Sequence, residues 1–466
     1  MIPLKSLLAR WNADALLRRV VRNSSFLFSS TVASAALGFL QGILVVRLIG
    51  IAHYGLLVGT VFVFVTNVNR LLSFRMAEAT VKYLRQALEQ GDLQGAASLV
   101  KRIAWIEAAT SVIAYLVLLG LAPVAARNLA GDPSLAPLFA AYGLFLIGNL
   151  VYETASGVLQ TLRRFDRISA AQFTGSLITA LLILGAFLLR GHLVHILAAY
   201  LAGKLTAGLL ITLFAVHALR AHLGPAWGHP SPHLLPSRSS SAAIDAPTSP
   251  ANRPPWRDIL AFAFQTNLNG TVNLIVRDSA PLFLAFFAGP AEVGYFKLAL
   301  SLVNLITLPI EPFIWPTYAE IAETIARAQW ATTRQLLWRI SIIAAAWTLP
   351  AGAALIALGK WLIPFVYGAE AGPAYPATVL LLVGYGMANI FHWNRPLLLA
   401  LHKPSYPLMV SAIVGAGQLA LIGLIIPPFR HLGMAALLSA YLLISILLTV
   451  WRGLAELRGR ALPSAR

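Results

Sequence analysis

Five basic residues, Arg70, Lys204, Arg277, Lys297 and Arg395, fall inside strongly apolar stretches, and four acids, Glu107, Glu153, Asp278 and Glu311, share those stretches. A basic side chain near the centre of a membrane helix costs about 2.5 to 3.5 kcal/mol on insertion scales. Each therefore needs a counter-charge, a water-filled cavity or a reach to the interface. For Arg70, Lys204 and Lys297 the third outcome is ordinary, since long stems can carry the charge to a headgroup region or the outer surface. Arg277 and Arg395 are harder to place that way. Arg277 sits within NLNGTVNLIVRDSAPLFLAFF, with Asn267, Asn269 and Asn273 on the helix surface below it. Adjacent residues do not share a helix face, so Asp278 is not expected to pair with Arg277. Arg395 lies in NIFHWNRPLLL beside His392, Trp393 and Asn394. A guanidinium grips phosphate through two parallel hydrogen bonds, so a phosphate-bearing anion is the ligand that arginines lining a cavity suit.

The acids suggest ion coupling. In NLITLPIEPFIWPTYAE, Pro309, Pro312 and Pro316 each remove a backbone donor around Glu311. A bent helix beside an intramembrane acid makes a moving gate or an ion site, with a static kink as the plainer reading. Asp278 and Glu153 are the other carboxylates able to change charge with H+ or Na+. Catalytic signatures are missing: there is no HExxH, GxxxxGK[ST], GxSxG or DxD pattern. The chain has no cysteine, which removes thiol nucleophiles and Cys-ligated metals. His192 and His195 have the spacing of a metal pair but no acid nearby, so no metal and no cofactor are expected.

These residues must be positioned by helices. The chain has 466 residues, 58% hydrophobic and 11% charged, whereas soluble domains carry about 25% charged residues. Apolar runs long enough to cross a bilayer fall at about 24–46, 55–74, 103–124, 135–161, 168–189 and 193–219, then 259–288, 293–315, 336–366, 378–401, 406–426 and 432–450. The residues at 75–102 read as a charged helix. The expectation is an all-α integral membrane protein with twelve transmembrane helices.

Residues 221–256, rich in Pro and Ser, separate the two sets of six and read as a linker. The sets also share a register. Gly50 and Gly55 bracket GIAHYG, and 239 positions later Gly289 and Gly294 bracket GPAEVG; Pro137 falls on Pro376 and Arg164 on Lys403 at the same shift. Glycine, proline and basic residues at one offset indicate duplication. The organisation is then an interfacial helix at 1–23, an N-lobe at 24–220, the linker, a C-lobe at 257–452 and a tail at 453–466. Residues 1–23 put Leu, Trp and Ala among Lys and Arg at helical spacing, as an interfacial helix does.

Charge gives the orientation. Of 35 Lys and Arg, five fall well inside spans and five in outer segments or at an outer span end (Arg47, Arg127, Arg190, Lys360 and Arg430), which leaves 25, with Arg339 at an inner span end, on the side of the termini. Both termini and the linker are therefore expected to be cytoplasmic. The net charge of +18 follows from this topology and does not call for nucleic acid. Two six-span repeats entering from the same side are related by a pseudo-twofold along the membrane normal, with a cleft between the lobes.

Twelve spans in two lobes, the RLIGIAHYG turn, its counterpart FFAGPAEVGYF and the basic turn LRRFDR together resemble the Wzx-type polysaccharide and O-antigen flippases. These belong to the multidrug/oligosaccharidyl-lipid/polysaccharide exporter superfamily, with the lipid II flippases and the multidrug extruders. The resemblance implies alternating access: the lobes rock about a cavity and move an undecaprenyl-pyrophosphate-linked oligosaccharide to the outer leaflet, for cell-surface polysaccharide. Membrane lipids and a polysaccharide polymerase are the partners it implies, in the cytoplasmic membrane of a bacterium or archaeon. A cation exporter would need acids lining the cavity and the arginines withdrawn. A lipid II flippase typically has two further spans, and a polymerase or ligase would carry a sizeable outer loop.

Overall fold

The computed structural model describes residues 15–72, 76–228 and 270–461. Asn267 and Asn269, most of the 221–256 linker and most of the 1–23 interfacial helix lie outside the described residues. Within them, nine helices are long and apolar enough to cross a membrane. Two of these, Val32–Leu72 and Ser405–Arg460, are each broken by one non-helical residue, Gly50 and Arg430, so each crosses twice. The helices Pro290–Thr307 and Ile314–Ala326 supply one more. Nine, two and one make twelve crossings, the number expected. Large side chains face outward over their length, with Trp338 and Trp451 exposed near one end and Trp361 near the other, as interfacial aromatic belts are.

Backbone strain repeats with the chain. Residues with φ in the left-handed region pair up as Gly50 with Gly289, Gly91 with Ala328, Gly131 with Gly368, Arg163 with His402 and Arg190 with Arg430. Each pair is separated by 237 to 240 positions, the difference of the residue numbers. L-residues avoid this conformation, so three pairs that include non-glycine residues carry more weight for duplication than any apolar similarity.

Several elements differ from the sequence expectation. The GIAHYG stretch is a one-residue reversal, not a loop: Gly50 has φ 77° and ψ 166° and the helix resumes at Ile51. The fourth and tenth spans are not continuous helices, and the eighth is interrupted where its prolines lead one to expect a bend. The fourth breaks between Ala136–Gly148 and Tyr152–Thr161, the tenth between Ala374–Ile390 and Asn394–Ala400, and the eighth at 308–313. The stretch at 75–102 forms the helix Met76–Glu89 and then the first turns of Leu93–Ala125, capped by the Asp92 carboxylate on the Gly95 N–H at 2.7 Å.

The two halves pack on each other at one end. Their main contacts join Ile51–Val61 to the start of Pro290–Thr307, with Ala280–Ala288 and the end of Trp330–Tyr367 beside them. A Cβ at Gly55 would lie 1.9 Å from the Pro290 carbonyl oxygen, and one at Gly294 would lie 2.3 Å from that of Ile51. The duplicated glycines thus meet face to face on the pseudo-twofold and let two backbones touch. Arg47 fastens the same end, donating to the carbonyls of Phe365 at 2.6 Å and Val366 at 2.8 Å. The opposite ends of the halves have their own cores, one around Leu159 and Ile211, the other around Leu397 and Ile321. The cleft therefore closes at the Gly50 end and opens toward the termini.

A valine at position 294 has nowhere to go, because the atoms it meets are backbone. In the Gly294→Val variant, a cysteine placed at Ser301, which bonds Tyr54 across the interface, is expected to react with a maleimide several-fold faster than in the parent. The chain supplies no competing thiol.

Candidate functional site

Two polar contacts join the halves farthest from the Gly50 turn. Asn67 Nδ2 donates to Ser279 Oγ at 2.9 Å, and Arg70 Nη1 donates to Asp278 Oδ2 at 2.7 Å. Asp278 also accepts from Arg277 Nε, at 3.1 Å on its other oxygen. One carboxylate thus bridges two arginines, one from each half. Asp278 lies eleven residues before the Gly289 turn, roughly 16 Å of helix and about half of a hydrocarbon core.

The Arg277–Asp278 pair corrects the expectation that these neighbours could not meet. Around them the helix is not a regular α-helix: the Ser279 N–H bonds the Leu274 carbonyl at 2.8 Å, five residues back. Such a wide turn changes the angle between successive side chains and often marks a functional position. Arg70 also departs from the interfacial reading, since Asp278 holds it inside the cleft. The three side chains remain 24% to 47% exposed, so a ligand can reach them.

Lys204 and Glu153 come to the same region through the first half. A cavity of about 610 Å³ among its six spans is lined by Arg70, Lys204, Glu153, Gln41, Gln172 and Asn149, among others. It forms where helices approach closely. A Cβ on Gly203 would sit 2.6 Å from the Gly175 carbonyl oxygen, so the fifth and sixth spans touch backbone to backbone and Lys204, next along, turns into the space. Lys297 does not rise to the surface. Its stem packs where a Cβ on Gly59 would lie 3.0 Å from its Cγ, and its charge is within electrostatic reach of Asp278.

Glu107, an intramembrane acid in the sequence, has a structural task that its position in the chain does not reveal. It is 3% exposed and accepts hydrogen bonds from the N–H groups of Glu153 at 2.7 Å and Thr154 at 2.8 Å, and from the Thr154 hydroxyl. It caps the helix that restarts at Tyr152, where orphan donors and the positive end of the dipole favour an anion. The tenth span uses a different fastening: Trp393 Nε1 donates to Ser341 Oγ at 2.7 Å, and Asn394 Nδ2 to the Phe391 carbonyl at 2.7 Å. The polar patch around Arg395 thus holds a helix break. Arg395 and Glu311 are exposed, make no ion pair among the described residues, and are not brought into the Asp278 cluster. The His192 N–H donates to His195 Nδ1 at 3.0 Å, so these histidines serve as a helix cap.

The chain's residues 20–321 match the model of a family described as polysaccharide biosynthesis protein. The chain belongs to that family. The family assignment agrees with the resemblance read from its turns and spacing. A curated relative is the inner membrane protein YghQ of Escherichia coli (strain K12), 24% identical over 367 residues, which are 78% of this chain and 97% of the relative. Among solved structures, the inward-facing conformation of a multidrug resistance MATE family transporter of the MOP superfamily superposes with a TM-score of 0.68. That match is at 15% identity and covers 93% of this chain and 96% of the other. The lipid II flippase MurJ in an inward closed conformation superposes at 0.66, with 14% identity, 93% of this chain and 90% of the other. At such identities the likeness establishes the fold alone: a multi-pass, all-helical architecture of two lobes.

Proposed function

We propose that this family member is a flippase that carries an undecaprenyl-pyrophosphate-linked oligosaccharide across the cytoplasmic membrane by alternating access. The observation that carries the reading is the Arg70, Asp278 and Arg277 bridge, two cations from opposite lobes on one carboxylate at the closed end of a cleft. A pyrophosphate offers the same arginines more oxygens and more charge than Asp278 does, so it can displace that contact and couple binding to lobe movement. Lys204 and Lys297 add positive charge nearby, and Arg395, exposed beside the break in the tenth span, is a further proposed contact for the anionic substrate. The cleft lies between lobes, which leaves the lipid tail in the bilayer. A cation exporter is less well supported, because Arg70 and Arg277 are held in the cleft by Asp278 and not withdrawn from it.

The positive-inside bias supports cytoplasmic termini, in which case the Gly50 end faces outward and the cleft is open for loading from the cytoplasm. Asp278, Glu153 and Glu311 are the proposed carriers of H+ or Na+ coupling, since each can change charge as the lobes move. A polysaccharide polymerase is the proposed partner that receives the product.

The test is leaflet exposure of a fluorescent undecaprenyl-pyrophosphate oligosaccharide in proteoliposomes, read with a membrane-impermeant quencher. Protein-dependent exposure of the inner pool is the expected result. No exposure, together with extrusion of a cationic dye by the same vesicles, would move the protein to the multidrug branch.

A further inference from the structure

A second concentration of positive charge lies away from the cleft, at the terminus-side end of the first half. There a pocket of about 610 Å³ is lined by Arg85, Arg163, Arg164, Arg167, His217 and His222, with Glu89 as its one acid and Phe214 on its wall. Arg85 comes from the helix Met76–Glu89, Arg163 and Arg164 from the turn between the fourth and fifth spans, Arg167 from the first turn of the helix Phe165–Leu188, and the histidines from the end of the sixth span. Arg163 takes a left-handed conformation at φ 57°, closing the preceding helix by the Arg164 N–H on the Leu159 carbonyl at 2.8 Å. Glycine is the usual residue there, so an arginine is held at a conformational cost.

The duplication supplies an internal comparison. At the offset of 239, Arg163 corresponds to His402, Arg164 to Lys403 and His217 to Glu456. In the second half the turn is neutralised: Lys403 Nζ lies 2.5 Å from Glu456 Oε1, and Arg452 Nη2 is 2.7 Å from the same oxygen. In the first half a histidine stands where that glutamate would be. Arg85, Arg163 and Arg164 make no ion pair among the described residues, and the one acid near Arg167 is its neighbour Asp166, at 3.7 Å, while its guanidinium lies 5.0 Å over the Phe214 ring. One repeat has closed its basic turn with a carboxylate; the other has kept the bases, lost the acid and left a pocket.

From this juxtaposition we infer that the pocket between the 161–167 turn and the end of the sixth span is a binding site for a phosphate-bearing anion. The convergent arginines supply forked donors, and each histidine ring adds an N–H donor. The phosphate belongs either to an anionic lipid headgroup at the membrane boundary or to a soluble polyphosphate. The inference does not depend on the flippase reading, because no residue of the cleft takes part.

The experiment uses the full-length chain and two probes. Equilibrium dialysis measures binding of radiolabelled inorganic pyrophosphate in detergent. Native mass spectrometry of protein released from phosphatidylcholine nanodiscs, with and without phosphatidylglycerol, counts retained anionic lipid. Two variants are compared, Arg164→Gln, which removes a donor, and His217→Glu, which recreates the ion-paired arrangement of the second half and should fold as well as the parent. Binding of at least one probe, weakened about tenfold or more in both variants, is the expected result. Pyrophosphate binding without lipid retention identifies a soluble ligand, and the reverse identifies a headgroup. Binding of neither probe overturns the inference. So does binding that both variants preserve and Arg277→Ala abolishes, which would place the anion in the central cleft.

Discussion

Asp278→Ala is expected to lower transport by tenfold or more and to shift the lobes away from the arrangement closed at the Gly50 end. The substitution leaves Arg70 and Arg277, now 2.7 Å and 3.1 Å from one carboxylate, facing each other across the cleft without a counter-charge. Removing one partner of a fully buried ion pair costs about 3–5 kcal/mol. Partial exposure of this cluster reduces that, so roughly 1–3 kcal/mol is reasonable, still a factor of five or more in the population of the closed form. Asp278→Asn separates charge from shape, since the amide keeps the size but loses the charge, and its defect should resemble that of alanine. The exchange Arg70→Asp with Asp278→Arg tests the pairing itself. Restored cysteine protection at position 301 in the exchanged protein supports a cross-lobe latch; two additive defects would show that the residues act separately. The transport assay and the accessibility assay read different steps, so a latch that matters for conformation alone would show in only one of them.

The parts of this architecture visible in the sequence are those in which residue type and conformation are tightly bound. Gly50 and Gly289 are needed for a reversal with positive φ, and Gly55 and Gly294 for a backbone contact, so their shared offset marks the repeat, while the meeting of the halves at these glycines is visible only in the fold. The prolines around Glu311 likewise announced the interruption in the eighth span. The break in the fourth span carried no such mark, and the one in the tenth carried only Pro396, in the first turn of the helix that restarts at Asn394. GLFLIGNLVYETASG reads as uninterrupted helix because its break is fixed from outside, by Glu107 of another span capping the new N-terminus. The Arg277–Asp278 pair departs from ideal α-helix geometry, because the Ser279 N–H bonds five residues back. Opposite charges 208 positions apart, such as Arg70 and Asp278, have no local signature at all. The pocket at the 161–167 turn was half legible. Its bases stood out in LRRFDR, but the meaning of His217 appears only once Glu456 is seen neutralising the matching turn.

The second large effect is expected at Arg277. Arg277→Ala should reduce flipping of the pyrophosphate-linked substrate more than tenfold, since truncating a charge-assisted hydrogen bond to an anion costs about 1.5–3 kcal/mol. Arg277→Lys should recover only part of this, because a single ammonium keeps the charge and loses the forked geometry. The same substitution also frees one oxygen of Asp278 while leaving its bridge to Arg70 in place, so the lobes should close at the Gly50 end as before. That contrast separates the two arginines. Arg70→Ala breaks the cross-lobe contact and should raise labelling at position 301, whereas Arg277→Ala should leave labelling near the parental rate and lose transport through substrate affinity. Competition by inorganic pyrophosphate in the vesicle assay checks the assignment directly: it should inhibit the parent and inhibit Arg277→Ala at least tenfold less. Equal inhibition of both would remove Arg277 from the substrate site and leave it as a companion to the Asp278 carboxylate, with the pyrophosphate read by the remaining cations of the cleft.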